Sequence, residues 1–167
     1  MCLLIISRYN METLKHIAHQ VSALNDLIRI NNDRITGYKK RMDITLDDDL
    51  DFLFSQFIYE SQKNVDELTR YIYLLGGKPA DGSTLSGKFY HAWMDFKSTS
   101  FKQNRQTMLD YCEYGEDVAK SAYQKALDDQ EINWEKKSAH LLKMHHDDLK
   151  LSQKMIRELR DRSVTAA

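Results

Sequence analysis

The sequence is poor in the residues that interrupt helices. It contains one proline, Pro79, and six glycines in 167 residues, and four of those glycines lie within residues 76–87. A protein with many β-turns needs such residues along its whole length, so this distribution excludes a many-turned β protein. The sequence therefore predicts an all-α protein with one long interruption near its middle.

Cysteines, net charge and long apolar runs are also scarce. Two cysteines, Cys2 and Cys112, provide no disulfide framework, and no apolar run is long enough for a transmembrane helix. Lysine plus arginine total 24 against 25 for aspartate plus glutamate, and this net charge of −1 argues against a protein that binds nucleic acid by neutralising phosphates. Residues 2–6 are too short for a signal-peptide core. We expect a cytoplasmic protein with no membrane span and no nucleic-acid partner.

Apolar residues recur every three or four positions along four segments, which is the spacing of one face of an α-helix. The first stripe runs from Leu14 to Met42 with one polar member, Asn31, and predicts a helix that starts near Asn10 or, alternatively, near Ser22. The second helix is predicted to begin at the acidic run 47–49, which supplies an N-cap and negative charge at the positive end of the helix dipole.

Glycine, proline and asparagine set the other predicted boundaries. Gly76 and Gly77 end the second helix because glycine tolerates the left-handed conformation of a C-terminal cap, and Pro79 prevents continuation. A third helix is predicted over residues 104–127, and a fourth from its N-cap Asn133 to about residue 162. The chain then divides into an N-terminal extension (residues 1–19, helical from about residue 11), a bundle (20–162) and a frayed tail (163–167).

The loop lengths distinguish between bundle topologies. Short loops of about four and about five residues join the first helix to the second and the third to the fourth, so each pair is predicted to be an antiparallel hairpin. Nearly thirty residues join the second helix to the third, enough to run along a helix roughly 42 Å long. Apolar spacing predicts a short extra helix over residues 86–97 within this connection. We expect a ferritin-like four-helix bundle with a long crossover; an insertion that folds back would instead give an up-down-up-down bundle.

Four segments carry a recognisable pattern. They are LNDLIRINNDRITGY (24–38), LGGKPADGSTLSGKFYHAWMDFK (75–97), CEYGEDVAKSAYQKAL (112–127) and HDDL (146–149). In this order they resemble a ferritin-like four-helix-bundle domain of unknown function that is common in bacterial hypothetical proteins. The resemblance covers roughly residues 20–162. It implies a ferritin-like fold and implies no reaction.

A di-iron site in such a bundle needs a Glu from each of two helices and a Glu-x-x-His pair from each of the other two. The second helix has Lys63 three residues after Glu60, and the fourth has Lys143 three residues before His146, so neither pair is complete. Glu60, Glu116 and His146 remain as ligands of a reduced site for iron or another divalent metal. The interpretation we favour has no cofactor. It is a polar layer of Asn31, Glu60, Glu116 and His146 that satisfies its own hydrogen bonds and fixes the helix register.

Three functions are consistent with the sequence. The first is a non-catalytic protein that acts by oligomerisation or partner binding, with a role in stress response, and Phe52, Tyr73 and Phe101 are candidates for a homodimer contact because they lie off the main stripes. The second is a metal-binding ferritin-like protein. The third is a membrane-surface binder that uses residues 2–6 and the amphipathic segment 14–28, and it ranks last because the chain has no basic cluster.

Overall fold

Four α-helices make up the structure, a computed structural model that describes residues 2–45, 47–82 and 105–165, with side chains described for residues 11–45, 47–82 and 105–162. The helices are α1 (Cys2–Met42), α2 (Asp48–Leu74), α3 (Arg105–Asp128) and α4 (Lys136–Thr165). These described residues contain no β-strand, so the all-α prediction is confirmed. The extra helix predicted over residues 86–97, and Phe101, lie outside them. Within the same ranges, no helix combines the length and the apolar character that a membrane span requires.

Two helices begin at a residue other than the predicted one. The first helix begins at Cys2 rather than near Asn10 or Ser22, so it includes the N-terminal extension. The fourth begins at Lys136, so Asn133 is not its cap but lies in the loop before it, where the Asn133 carbonyl accepts a hydrogen bond from Gln20 Nε2 at 2.9 Å. At its other end α4 extends to Thr165, and fraying of residues 163–167 stays a prediction.

The two ends of α2 lie where the sequence predicts them. Asp47 is the N-cap residue, yet its side chain caps no helix N–H, because its Oδ2 accepts a hydrogen bond from Arg105 Nη1 at 2.7 Å. At the other end, Gly76 has a φ of 72°, and the Gly77 N–H donates to the Ile72 carbonyl at 2.9 Å. The predicted glycine cap is therefore confirmed.

Contacts between side chains show how the helices run relative to one another. In order along α1, the contacts to α3 and the loop after it join Gln20 to Asn133, Asn31 to Tyr123 and Arg34 to Glu116. The contacts between α2 and α4 join Glu60 to Ser152 and Glu67 to His145. In both sets the residue numbers rise along one helix and fall along the other, so both pairs are antiparallel. Since α1 and α2 also form an antiparallel hairpin, α2 and α3 run in the same direction.

The connection between α2 and α3 begins and ends at opposite ends of the bundle. After α2 the chain passes along α1, where Asn25 Nδ2 donates to the Lys78 carbonyl at 3.1 Å and Asn32 Nδ2 to the Gly82 carbonyl at 2.7 Å. The third helix starts at Arg105, which contacts Asp47 in the loop that follows the C-terminus of α1.

Two apolar clusters fill the interior, and a polar layer separates them. One cluster includes Leu24, Leu27, Ile28, Leu68, Ile72, Ala119, Leu142 and Leu149. The other includes Leu50, Phe54, Phe57, Met108, Leu109, Cys112 and Ile156. The polar layer consists of Asn31, Arg34, Ser61, Asn64, Glu116 and His145, and none of these residues is more than 3% exposed. Hydrophobic burial on both sides places this layer at the centre of the molecule.

Candidate functional site

The centre of the polar layer is an ion pair between α1 and α3. Arg34 Nε and Nη2 each donate to a different oxygen of Glu116, and both distances are 2.9 Å. The guanidinium thus holds the carboxylate in the bidentate geometry that gives the strongest charged hydrogen bonds. The side chains are 1% and 0% exposed. A pair buried this deeply is favourable only when its remaining polar atoms also find partners.

Neighbouring hydroxyl groups complete the hydrogen bonding of the pair. The Tyr38 hydroxyl donates to Glu116 Oε1 at 2.5 Å, and Arg34 Nη1 donates to Ser61 Oγ at 2.7 Å. The rings of Tyr38 and Phe57 lie 5.9 and 6.0 Å from Arg34 Cζ, within the range of a cation–π contact. Glu116 therefore accepts three hydrogen bonds, and its two oxygens are committed to protein donors.

The surroundings keep the arginine charged and the tyrosine neutral. Burial is the largest influence on the pKa of Arg34 and would lower it, but the charge of Glu116 and the hydrogen bond to Glu116 oppose burial, and the pKa is raised. Burial, followed by the charge of Glu116, raises the pKa of Tyr38 well above its ordinary value. The phenol consequently remains a donor to the carboxylate and is unavailable as a base.

A second chain of hydrogen bonds in the layer links all four helices. Asn31 Nδ2 donates to the Tyr123 hydroxyl at 2.7 Å, and Asn64 Nδ2 donates to Asn31 Oδ1 at 3.4 Å. The Tyr123 hydroxyl is 3.2 Å from His145 Nδ1, and His145 Nε2 is 2.8 Å from Glu67 Oε2. Burial lowers the pKa of His145, and its bond to Glu67 only partly opposes this effect. A neutral imidazole fits the geometry, since it can accept at Nδ1 and donate from Nε2.

The three predicted metal ligands lie in different surroundings. Glu116 belongs to the ion pair. Glu60 is half-buried on α2, where Ser152 Oγ donates to its Oε2 at 3.4 Å. His146 is buried, and its Nδ1 lies 3.8 Å from Asp147. In the part of the chain that the structure describes, no group of three or more His, Cys, Asp or Glu side chains is placed to hold a metal ion. The structure does not bring Glu60, Glu116 and His146 together as one group, and their role as ligands stays a prediction.

The comparisons with known proteins concern the family and the fold. The profile of a family described as "Domain of unknown function (DUF2383)" matches residues 19–129. The chain belongs to this family. A search of curated proteins finds no match. The structure is similar to the crystal structure of a conserved hypothetical protein, rv2844, from Mycobacterium tuberculosis, with a TM-score of 0.69 and 10% sequence identity over 86% of this chain and 92% of that chain. At this identity the likeness shows the fold alone, an all-α four-helix architecture.

Arg34 is the central residue of this DUF2383 domain that the sequence analysis did not identify. It lies three residues after Asn31 and four before Tyr38, so all three share one helix face. The apolar spacing of the first helix passes through the neighbouring Ile35, which is also buried, and it does not include Arg34, because arginine is rarely buried without a charged partner. A sequence pattern that indicates this pair is an arginine next to the apolar stripe of one helix together with a glutamate, Glu116, next to the apolar stripe of another helix.

Proposed function

We propose that this DUF2383 protein is a ferritin-like bundle in which a buried ion pair stands where a di-iron bundle has its metal, and that it acts without catalysis, through self-association. One observation carries the proposal: Arg34 donates to both oxygens of Glu116 at 2.9 Å in the centre of the bundle. The positive charge that a metal would bring to the carboxylate is here supplied by the protein itself.

The course of the helices supports the ferritin-like part of the proposal. Two antiparallel hairpins, with α2 and α3 running in the same direction, fit the bundle that has one long crossover. The connection leaves the C-terminus of α2, and α3 starts at Arg105, which contacts Asp47 at the N-terminus of α2, so the two points lie at opposite ends of α2, as a crossover requires. An up-down-up-down bundle would instead have α2 and α3 antiparallel.

The chemistry of the layer does not suit a divalent metal ion. To become a ligand, Glu116 would have to give up hydrogen bonds from Arg34 and Tyr38, and the guanidinium would then face a second cation at short range. His145 is hydrogen-bonded to Tyr123 and to Glu67. The network has the complete hydrogen bonding of a polar layer that fixes helix register, and register fixing is the best attested use of buried polar groups.

Self-association is supported by large apolar side chains on outward faces. Phe52 and Tyr73, both candidates for a homodimer contact, are 67% and 66% exposed. On α4, Leu151 is 60% exposed. Exposed apolar residues aligned along a helix mark interaction surfaces more often than isolated ones do. We also place the protein in the cytoplasm, because its buried, free Cys112 suits a reducing compartment.

Metal analysis and sedimentation of the full chain, purified without a histidine tag, test this function. We expect far less than one metal ion per chain and an oligomer at micromolar concentration. One or more irons per chain would overturn the ion-pair part, and a monomer at every concentration would overturn the self-association part.

The alternative function is binding of iron or another divalent metal by Glu60, Glu116 and His146. One observation favours it. Burial raises the pKa of Glu60, and the charges of Asp148 and Glu116 raise it further against the opposing charge of Arg34, as expected where carboxylates gather. An oxo-bridged iron absorption band after aerobic addition of ferrous iron would support this alternative against the ion-pair proposal.

A further inference from the structure

An apolar stripe runs along α4 on the side that faces away from the bundle. Met144, Leu151 and Met155 are 43%, 60% and 43% exposed, and their spacing of seven and four residues places them on one helix face. The opposite face carries the core residues Leu142, Leu149 and Ile156, which are at most 1% exposed. Packing within the bundle therefore leaves the stripe uncovered.

Charged residues flank this stripe. Their order is such that two antiparallel copies of α4 place residues of opposite charge next to each other. Along one side of the stripe the chain places, in order, His140, Lys143, Asp147, Lys154, Glu158 and Asp161, all exposed. At about 100° per residue these six lie within about 60° of one another around the helix. The first half of the series reads basic, basic, acidic, and the second half reads basic, acidic, acidic.

We propose that α4 is the surface through which two copies of this chain associate, packed antiparallel about a twofold axis between Lys150 and Leu151. This inference rests on the proposed self-association and names its surface. A twofold axis brings together residues equally distant from it on the same side of both helices. It pairs Lys143 with Glu158, Asp147 with Lys154 and His140 with Asp161, and symmetry repeats each pair.

The apolar stripe fits the same arrangement. Leu151 lies beside its own copy at the axis, while Met144 and Met155 flank it on either side. The contact extends from residue 140 to residue 161, about 32 Å at 1.5 Å per residue. The present ion pairs within α4, Lys150 with Asp147 at 3.1 Å and Lys154 with Glu158 at 3.8 Å, are solvent-exposed and weak enough to exchange for contacts across the interface.

The exposed aromatic residues of α2 make a poorer surface for the same purpose. Phe52, Tyr59 and Tyr73 lie seven and fourteen residues apart on one face. An antiparallel pairing that matches Phe52 with Tyr73 sets Asp66 opposite Tyr59 and Arg70 opposite Ser55, so it pairs no charged residue with one of opposite charge. Either axis lies next to a lysine, Lys63 in α2 and Lys150 in α4, so the flanking charge pairs are what favours α4.

Sedimentation velocity on the full chain over a range of concentrations tests the surface. Leu151→Glu should raise the dissociation constant about a hundredfold, because a central apolar contact is lost twice in a symmetric dimer. The matched control is Tyr59→Glu, an exposed apolar residue on α2, which should leave the constant within about threefold of the wild type. Circular dichroism confirms that each variant retains its helices.

Charge exchange provides a second readout that does not depend on the apolar stripe. Asp147→Lys and Lys154→Asp should each weaken association about tenfold by placing like charges opposite one another, and the double variant should recover to within about threefold of the wild type. A dimer that survives Leu151→Glu, or that Tyr59→Glu dissociates, overturns the α4 surface and leaves self-association standing. A wild type that is monomeric throughout overturns self-association itself.

Discussion

Replacing Arg34 with methionine tests whether the buried ion pair holds the bundle together. Methionine keeps much of the side-chain length, but Glu116 loses two hydrogen bonds of 2.9 Å and keeps only the bond of 2.5 Å from Tyr38. Ser61 loses the donor that now lies at 2.7 Å. Removing one partner of a buried pair costs about 3–5 kcal/mol, a large part of a total stability of roughly 5–15 kcal/mol. At about 2–4 °C per kcal/mol for a protein of this size, Tm should fall by roughly 6–20 °C.

Urea unfolding followed by circular dichroism measures this loss. The matched control is Arg29→Met, because Arg29 forms an exposed ion pair with Asp26 at 2.7 Å within α1. Exposed pairs contribute little, so the control should change the free energy of unfolding by about 0.5 kcal/mol or less. The difference between the two variants reports the effect of burial on the same kind of ion pair.

A double variant separates loss of the pair from loss of packing. Glu116→Gln in the Arg34→Met background removes the uncompensated charge and retains an acceptor for the Tyr38 hydroxyl. Because neighbouring substitutions are not additive, the double variant should recover about 1–3 kcal/mol relative to Arg34→Met. A loss below about 1 kcal/mol for Arg34→Met, or a further full loss on adding Glu116→Gln, would refute the reasoning.

A histidine, a glycine and a cysteine provide three further tests. Since burial lowers the pKa of His145, the unfolded chain binds the proton more readily, and the free energy of unfolding should fall by up to about 1.4 kcal/mol per pH unit as the pH drops below about 6.5. His145→Gln should reduce this slope in urea titrations from pH 7 to pH 5, and an unchanged slope would contradict the assignment. A Cβ at Gly77 would lie 2.7 Å from a Val21 methyl carbon, so Gly77→Ala should cost about 1–3 kcal/mol, and Val21→Ala should recover part of it. No recovery in thermal melts would count against the close approach of α1 to the end of α2. Burial raises the pKa of Cys112 to about 11, so in a Cys2→Ser background the thiol should react with a thiol reagent only as fast as the protein unfolds. Rapid labelling of Cys112 in native buffer would contradict the burial of this thiol.

The positions of the helices could be predicted because apolar periodicity reports burial directly. The ends of α2 follow from glycine and from the acidic run at 47–49, whose local chemistry is visible in the sequence. The start of α4 could not be predicted in this way. Its first hydrogen bond runs from the Ala139 N–H to the Glu135 carbonyl at 2.9 Å, two residues after the predicted cap Asn133, and glutamate is not a residue that marks an N-cap in a sequence.

The polar layer could be predicted only in part. Asn31 and Glu116 lie on or next to the apolar stripes, and both are buried as that position indicates. Arg34 could not be predicted, because its burial depends on a partner on another helix. In α4 it is His145, not His146, that enters the layer. Adjacent residues on a helix diverge by about 100°, and the rotation of the helix against its neighbours decides which one faces inward.

Anomalous X-ray scattering from crystals equilibrated with ferrous iron or manganese is the most direct test of the central claim. The account predicts no anomalous peak within coordination distance of Glu116, and density for the Arg34 guanidinium against both carboxylate oxygens. A peak bound by Glu116 and Glu60, with Arg34 turned away from the carboxylate, would contradict it.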